Sequence, residues 1–405
     1  MNNMPKRILY IWDADYPWDV RVEKICTTLA RNGYTVHIAA RNLKRLPEYE
    51  IENGLVIHRI KTWKNETMNY FLSFPAFFSP IWKRFLDQII KENDIGLIIV
   101  RDLPMAIAGI WAAKRHRIPI IFDMAENYVD MIWANWKARK FQGLNYFVRN
   151  PYLAKLVERY VLRESDYILV VVEEARDLVI TRGGISDRIS IVGNTPLLES
   201  FKRTEVKMSS DLQKIKDHFS IIYTGGLQKG RGIQTILDAI PLLVNKIPNF
   251  LFVVVGDGYA VYELKKMAMR NNSEKHVFWV GWVDHRTVYD YCRMSKVGII
   301  PHLVTGHTNT TIPNKIFDYM GLGLPVIASN AAPMKRILEE EGCGLIFRSG
   351  DSNDFACKLL ELYQLGYDLG HKGKVAVRER YNWGLDEARL LNVINKFSSR
   401  DSGQI

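Results

Sequence analysis

Pairing is what this chain lacks. Its four cysteines, Cys26, Cys292, Cys343 and Cys357, are scattered with no C-x-x-C pair. Neither a disulfide framework nor a cysteine metal site is expected, and with no apolar leader ahead of them a reducing cytosolic setting is. None of the nine histidines stands at H-x-x-x-H spacing from another, so chemistry without a metal is the expectation. Glycine and proline are not enriched, which excludes fibrous repeats and low-complexity disorder. Long apolar runs are missing too. The aromatic-rich stretch Tyr70–Trp82 is broken by Pro75 and Pro80 and is shorter than the ~20 apolar residues that span a bilayer. The first strand pattern leads into Asp13-Ala14-Asp15-Tyr16, without the G-x-G-x-x-G turn of a dinucleotide-dependent oxidoreductase.

What is present is a soluble-type composition, 47% hydrophobic and 24% charged over 405 residues. That length favours two domains of roughly 200 residues each. The net charge of +11 is spread over both halves in short clusters such as Lys114/Arg115/Arg117 and Lys137/Arg139/Lys140. No nucleic-acid tract stands out, and solvated faces or attraction to an anionic membrane or substrate account for such clusters.

Strand and helix patterns alternate from the start. Arg7–Trp12, Thr35–Ala40, Leu55–Ile60, Gly96–Val100, Ile118–Asp123 and Tyr167–Val172 read as strands. Val20–Asn32, Pro104–Arg115 and Tyr152–Arg163 carry helical spacing. Polar, charged chain between about Glu199 and Asp217 is the candidate linker. A second series then runs from Ser220–Tyr223 through strands Phe250–Val255, Val277–Val280, Val297–Ile300 and Val326–Ser329, with helices between them. The pattern is that of two doubly wound α/β domains, placed at 1–200 and 217–380. A final helical segment, Asp386–Phe397, lies in 381–405.

The densest signal is Pro313-Asn314-Lys315-Ile316-Phe317-Asp318-Tyr319-Met320 followed by Gly321-Leu322-Gly323-Leu324-Pro325-Val326-Ile327-Ala328. It reads as a helix opened by a proline, carrying one carboxylate, stopped by glycine and continued as a buried strand. Such a helix aims its N-terminus and Asp318 at the strand-end crevice where nucleotides bind. Upstream, Gly225-Gly226-Leu227-Gln228-Lys229-Gly230-Arg231-Gly232 joins strand to helix with four glycines and two cations. That combination lets backbone N–H groups and charges converge on a phosphate. The plain alternative is a turn with solvated cations. Gly256-Asp257-Gly258 and Val280-Gly281-Trp282 close the next two strands.

In this order and spacing the motifs resemble the retaining nucleotide-sugar glycosyltransferases of family 4, whose GT-B fold sets two facing Rossmann-like doubly wound domains about an interdomain cleft. The resemblance covers almost the whole chain. It implies a first domain that binds the acceptor, a second that binds the nucleotide-sugar, and a last helix that crosses back onto the first domain. It places Asp318 on the donor ribose, Gly225, Gly256 and Gly281 against the nucleotide, and Arg231 with Lys229 on the diphosphate as the charges that assist its departure. Two departures stand out. Gly226 occupies the position of the usual clamp arginine, and Thr310 that of the glutamate that holds the transferred sugar. Asn309, Thr310, Thr311 and the N–H groups at Asn314 and Lys315 are left to that task, with His302 and His307 flanking the loop on sugar hydroxyls or in solvent.

In the first domain, Asp19-Val20-Arg21-Val22-Glu23-Lys24 resembles a subgroup pattern. It implies that Arg21 meets donor phosphates or acceptor, unless it is a helix-surface arginine bonded to Asp13 or Asp19. Phe122-Asp123-Met124-Ala125-Glu126 carries Ala125 where relatives often have histidine. Glu126 is left to orient the acceptor hydroxyl or stabilise the reacting carbon, while Asp102 faces the same cleft or caps a helix. Residues 69–85 mix aromatics with Lys83-Arg84, which suits peripheral membrane contact or core lining. The expected protein is a cytoplasmic, metal-independent glycosyltransferase at the inner face of the membrane. It would move sugar from a nucleoside-diphosphate-sugar to a glycan or lipid-linked acceptor, without nucleic acid or a further cofactor. A sugar-nucleotide-binding protein that has lost catalysis is the rival.

Overall fold

The computed structural model describes residues 7–17, 19–62, 65, 79–137, 149–202, 208–366 and 369–398. The chain separates into two compact units, residues 1–194 with 386–405, and residues 195–385. Each is an α/β unit built on one sheet.

The first sheet has eight strands: β1 (Arg7–Asp15), β2 (Thr35–Arg41), β3 (Tyr49–Glu52), β4 (Leu55–Arg59), β5 (Leu97–Arg101), β6 (Ile120–Met124), β7 (Tyr167–Val170) and β8 (Ile189–Ile191). Their order is β3-β4-β2-β1-β5-β6-β7-β8. All neighbours are parallel except the β3–β4 pair. The central strands are buried on both faces, which is why Leu97–Val100 and Ile120–Phe122 read as unbroken apolar runs rather than alternating ones. Local chemistry starts the helices. Asp19 caps Val20–Arg31 by accepting the N–H groups of Arg21 and Val22. Ser79 and Asn150 cap helices that each carry proline in the first turn. From the C-terminal helix, Asn395 and Lys396 reach Tyr34 and Tyr167 of this unit.

Strands β9 (Phe219–Thr224), β10 (Phe250–Val255), β11 (Val277–Gly281), β12 (Val297–Ile300), β13 (Val326–Ser329) and β14 (Gly344–Phe347) form the second sheet, ordered β11-β10-β9-β12-β13-β14 and parallel throughout. Order reverses between β9 and β12, and ligands bind outside the carboxyl ends of strands at such a switch point.

Three short strands escaped sequence reading: β3 and β8, at the edges, and β14. Each is only three or four residues long, too brief for a periodic signal. The candidate linker is partly ordered. It holds a 3-10 turn at Leu198–Phe201 and a helix at Ser210–Lys216, and the ring of Phe201 stacks on Tyr289 of the second unit. Residues 69–78 of the aromatic segment lie outside the described residues. The remainder opens helix Pro80–Asn93, and there Trp82 is fully buried, so this residue belongs to the core and not to a membrane-facing surface. Among the described residues no helix is long and apolar enough to cross a membrane.

Candidate donor and acceptor sites

Helix Lys315–Leu322 follows the long loop after β12. Gly298 of β12 has no side chain, and a Cβ there would meet the Tyr319 ring at 2.4 Å, so the helix packs close against the strand. The Tyr319 hydroxyl accepts the N–H of Thr224, the last residue of β9, at 2.9 Å. Lys315 lies one turn earlier on the same face, and its Nζ sits 3.9 Å over the centre of the Tyr223 ring. At the far end Gly323, at φ +82, stops the helix.

The glycine-rich turns after β9, β10 and β11 lock together through their backbones. Gly225 N–H donates to Val255 O at 2.8 Å, Leu227 N–H to Asp257 O at 2.9 Å and Gly256 N–H to Gly281 O at 2.7 Å. At Gly256, with φ +133, a Cβ would fall 2.2 Å from Gly225 O. Glycine here permits two chains to cross that any side chain would part. Gly226, by contrast, is exposed, and a Cβ there would meet nothing nearer than Gln228 Nε2 at 4.0 Å.

Cations follow these strand ends, and among the described residues none of Lys229, Arg231 and Lys315 forms a salt bridge with a carboxylate. Lys229 is exposed and Arg231 half-buried. Burial and then Arg231 push the Lys315 ammonium well below its ordinary range, with Asp318 opposing. His302 is 2% exposed, not a solvated loop residue, and its Nε2 is buried with no hydrogen-bond partner among the described residues. Burial and the charges of Lys315, Arg231 and His307 hold that imidazole well below the usual value. Asp318 is half-buried, and its Oδ1 accepts the Tyr289 hydroxyl at 2.9 Å.

Thr310 and Thr311 depart from expectation. Both hydroxyls donate to His307 O, at 3.2 and 3.0 Å, and Thr310 is buried. Their protons brace the loop and are not offered to a sugar. Asn314 is exposed at the helix start.

In the first unit the strand ends of β1, β5 and β6 hold a buried ion network. Arg21 corrects the sequence reading most plainly. It is 3% exposed, and its guanidinium bonds neither Asp13 nor Asp19. Its NH2 group pairs with Asp123 Oδ1 at 2.5 Å, and NH1 reaches Val192 O at 2.8 Å and Asn194 Oδ1 at 2.9 Å. With its guanidinium spent this way it cannot grip a phosphate. The first carboxylates are engaged as well: Asp13 with Arg41 at 2.7 Å, Asp15 with the N–H groups of Leu43 and Lys44 at 2.6 and 2.9 Å. Arg101 bridges Asp19 and lies 4.2 Å from the centre of the Trp12 ring.

Asp102 is a cap, but not of its own helix. Its Oδ1 accepts the N–H groups of Ala125 and Glu126, each at 3.0 Å, and so ties the β6 loop to the end of β5. Burial raises its carboxyl to about 7. Glu126 is half-buried and held by that loop, beside a buried Ala125.

Sequence reasoning missed the side chain of Lys315, the orphaned ring nitrogen of His302 and the hydroxyl of Tyr289. Only the P-N-K motif itself could have pointed to the first.

The Glycosyltransferase Family 4 model matches residues 19–195, and the Glycosyl transferases group 1 model matches residues 218–365. A phosphatidyl-myo-inositol mannosyltransferase of Mycolicibacterium smegmatis is 21% identical over 324 residues, 79% of this chain and 76% of that protein. Among solved structures, sucrose-phosphate synthase from Thermosynechococcus elongatus superposes with a TM-score of 0.77 at 16% identity, over 96% of this chain and 98% of that one. Anabaena Alr3699/HepE, in complex with UDP, gives 0.71 at 13% identity, over 96% and 100%. The matched models and this shared architecture give the conclusion that the chain belongs to the family 4 glycosyltransferases of the GT-B fold.

Proposed function

We propose that this glycosyltransferase takes a hexosyl group from a nucleoside-diphosphate-sugar held by its second domain. It passes the sugar to a hydroxyl of a glycan or lipid-linked acceptor with retention of anomeric configuration. One observation carries the reading: Arg231 follows β9 and Asp318 lies on the helix after β12, the two neighbouring strands where the order of the second sheet reverses, and the glycine turns after β9, β10 and β11 pack backbone to backbone. A diphosphate needs the cation, a ribose the carboxylate, and a close-lying nucleotide the absence of side chains.

In this reading Asp318, oriented by Tyr289, accepts the ribose hydroxyls. Arg231 stabilises the charge that grows on the leaving diphosphate as the glycosidic C–O bond breaks. The leaving oxygen takes the acceptor proton on the same face, which preserves the anomer. Glu126 is assigned to the acceptor hydroxyl. Side-chain cations do the work that a metal would otherwise do. The lipid acceptors in relatives' names, the phosphatidylinositol of the mannosyltransferase among them, support a reaction at the cytoplasmic membrane face.

The test is a thermal-shift screen against UDP, GDP, ADP, dTDP, CMP and NAD(H). A ligand at 100 times its Kd adds about 2.7 kcal/mol to stability. One nucleoside diphosphate should stand out, and proton NMR of the product from its sugar should show the donor's anomer. No shift with any nucleotide would overturn the donor assignment, and an inverted anomer the retention.

A further inference from the structure

We propose that the second cation of the diphosphate site is the ammonium of Lys315, reaching in from the helix after β12, in place of the side chain that the glycine turn lacks at Gly226. This rests on the donor reading above and adds a residue to it. The expectation from the sequence was that Lys229 supplies this charge. Lys229 lies exposed on the 3-10 turn Lys229–Arg231, where water already satisfies an ammonium.

Lys315 is in a different condition. Its Nζ rests on the face of Tyr223, and a Cβ at Gly225 would come within 2.9 Å of it. The glycine therefore lets this ammonium lie directly against the turn. The helix is fixed there by the Tyr319–Thr224 hydrogen bond and by the absence of a side chain at Gly298, so the helix that carries the lysine is held in place by structure that does not depend on the lysine's charge. Arg231 presses on Lys315, and both press on His302. No salt bridge to a carboxylate involves Lys315 or Arg231 among the described residues.

Like charges brought together in partly buried surroundings, next to a ring nitrogen with no partner, destabilise the free protein. A dianion placed among them removes the repulsion and supplies the missing hydrogen-bond acceptors. Two cations on different elements also suit a diphosphate, whose two phosphoryl groups present oxygens in different directions. With the ligand bound, the Lys315 ammonium and Arg231 share the charge that the departing diphosphate acquires, and Lys315 counts as a catalytic residue.

Space decides where else such a charge could stand. Gly226 is exposed, a Cβ there would touch only Gln228 Nε2 at 4.0 Å, and its φ is not in the left-handed region, so a long cationic side chain fits there. The cation can therefore be moved.

Isothermal titration of UDP, GDP, ADP and dTDP into the wild-type chain identifies the binding diphosphate. The same nucleotide, its nucleoside and inorganic pyrophosphate are then titrated into K315M, K315R and G226R/K315M. K315M should weaken the nucleoside diphosphate and pyrophosphate by at least about tenfold, and the nucleoside by less than about twofold. K315R and G226R/K315M should each recover most of the loss. The melting temperature of free K315M should equal or exceed that of the wild type, because a crowded, poorly solvated ammonium has gone. Wild-type affinity in K315M would overturn the assignment of Lys315 and leave the donor reading intact. So would an equal loss for the nucleoside, or a lowered melting temperature with no recovery in either charged variant. A wild-type chain that binds no nucleoside diphosphate would overturn both.

Discussion

The guanidinium of Arg21 closes on the carboxylate of Asp123 at 2.5 Å, with both side chains almost wholly buried. Tyr10 adds a hydrogen bond to the other carboxylate oxygen at 2.8 Å. An ion pair so enclosed is costly to break from one side. Arg21→Met should destabilise the protein by about 3–5 kcal/mol, because Asp123 is left buried and uncompensated. Denaturant midpoints measure this, and affinity for the nucleoside diphosphate should stay within about twofold of wild type. Lost affinity at unchanged stability would return Arg21 to the donor site.

Asp318 should behave in the opposite way. Asp318→Ala is expected to weaken the nucleoside diphosphate by about 1–3 kcal/mol through lost charged hydrogen bonds, while pyrophosphate, which has no ribose, binds as before. Tyr289→Phe removes the hydroxyl that holds Oδ1 and should show a smaller loss with the same selectivity. Calorimetry with both ligands separates the ribose role from a general structural one.

Gly256 and Gly232 are constrained by backbone, which cannot move aside as a side chain can. A Cβ would fall 2.2 Å from Gly225 O at the first and 1.7 Å from Pro301 O at the second, and both residues have positive φ. Either Gly→Ala change should cost about 1–3 kcal/mol or more in stability and weaken donor binding with it. Gly226→Ala, in open space, should leave stability within about 0.5 kcal/mol.

His37 and His58 share a hydrogen bond of 3.0 Å between ring nitrogens, which needs at least one ring neutral to accept it. Burial, then His58, lowers His37 to about 4, and burial lowers His58 as well. Groups whose folded values are depressed contribute stability that is complete above the unfolded value and is lost as pH falls through the folded one. From about pH 6.5 down to about pH 4 the pair should therefore cost the protein on the order of 2 kcal/mol. Denaturation of wild type and His37→Phe across this range should show a shallower pH dependence in the variant. An unchanged slope would mean the pair does not titrate on folding.

Much of this was open to reading in one dimension. Parallel strands buried on both faces leave uninterrupted apolar runs, and proline and glycine punctuate the helices they start and stop. The two domains and the segment from Pro313 to Ala328 were legible for that reason. The order of the glycine turns carried the family. Short edge strands had no period to find, and the candidate linker hid an aromatic contact between Phe201 and Tyr289.

Side-chain partners were another matter. Arg21 and Asp123 are 102 residues apart, and nothing local to Arg21 distinguishes a phosphate ligand from the centre of a buried ion network. Thr310 and Thr311 sit in a motif position that suggests contact with sugar, yet their hydroxyls turn back on His307. Lys315 was visible as a letter in a helix motif, but its approach to Tyr223 follows from how closely that helix packs on Gly298. Periodicity and turn chemistry are short-range properties, so the sequence by itself determined the elements, their order and the family. Where a charge ends up depends on packing between elements distant in the chain, and that only the tertiary structure decided.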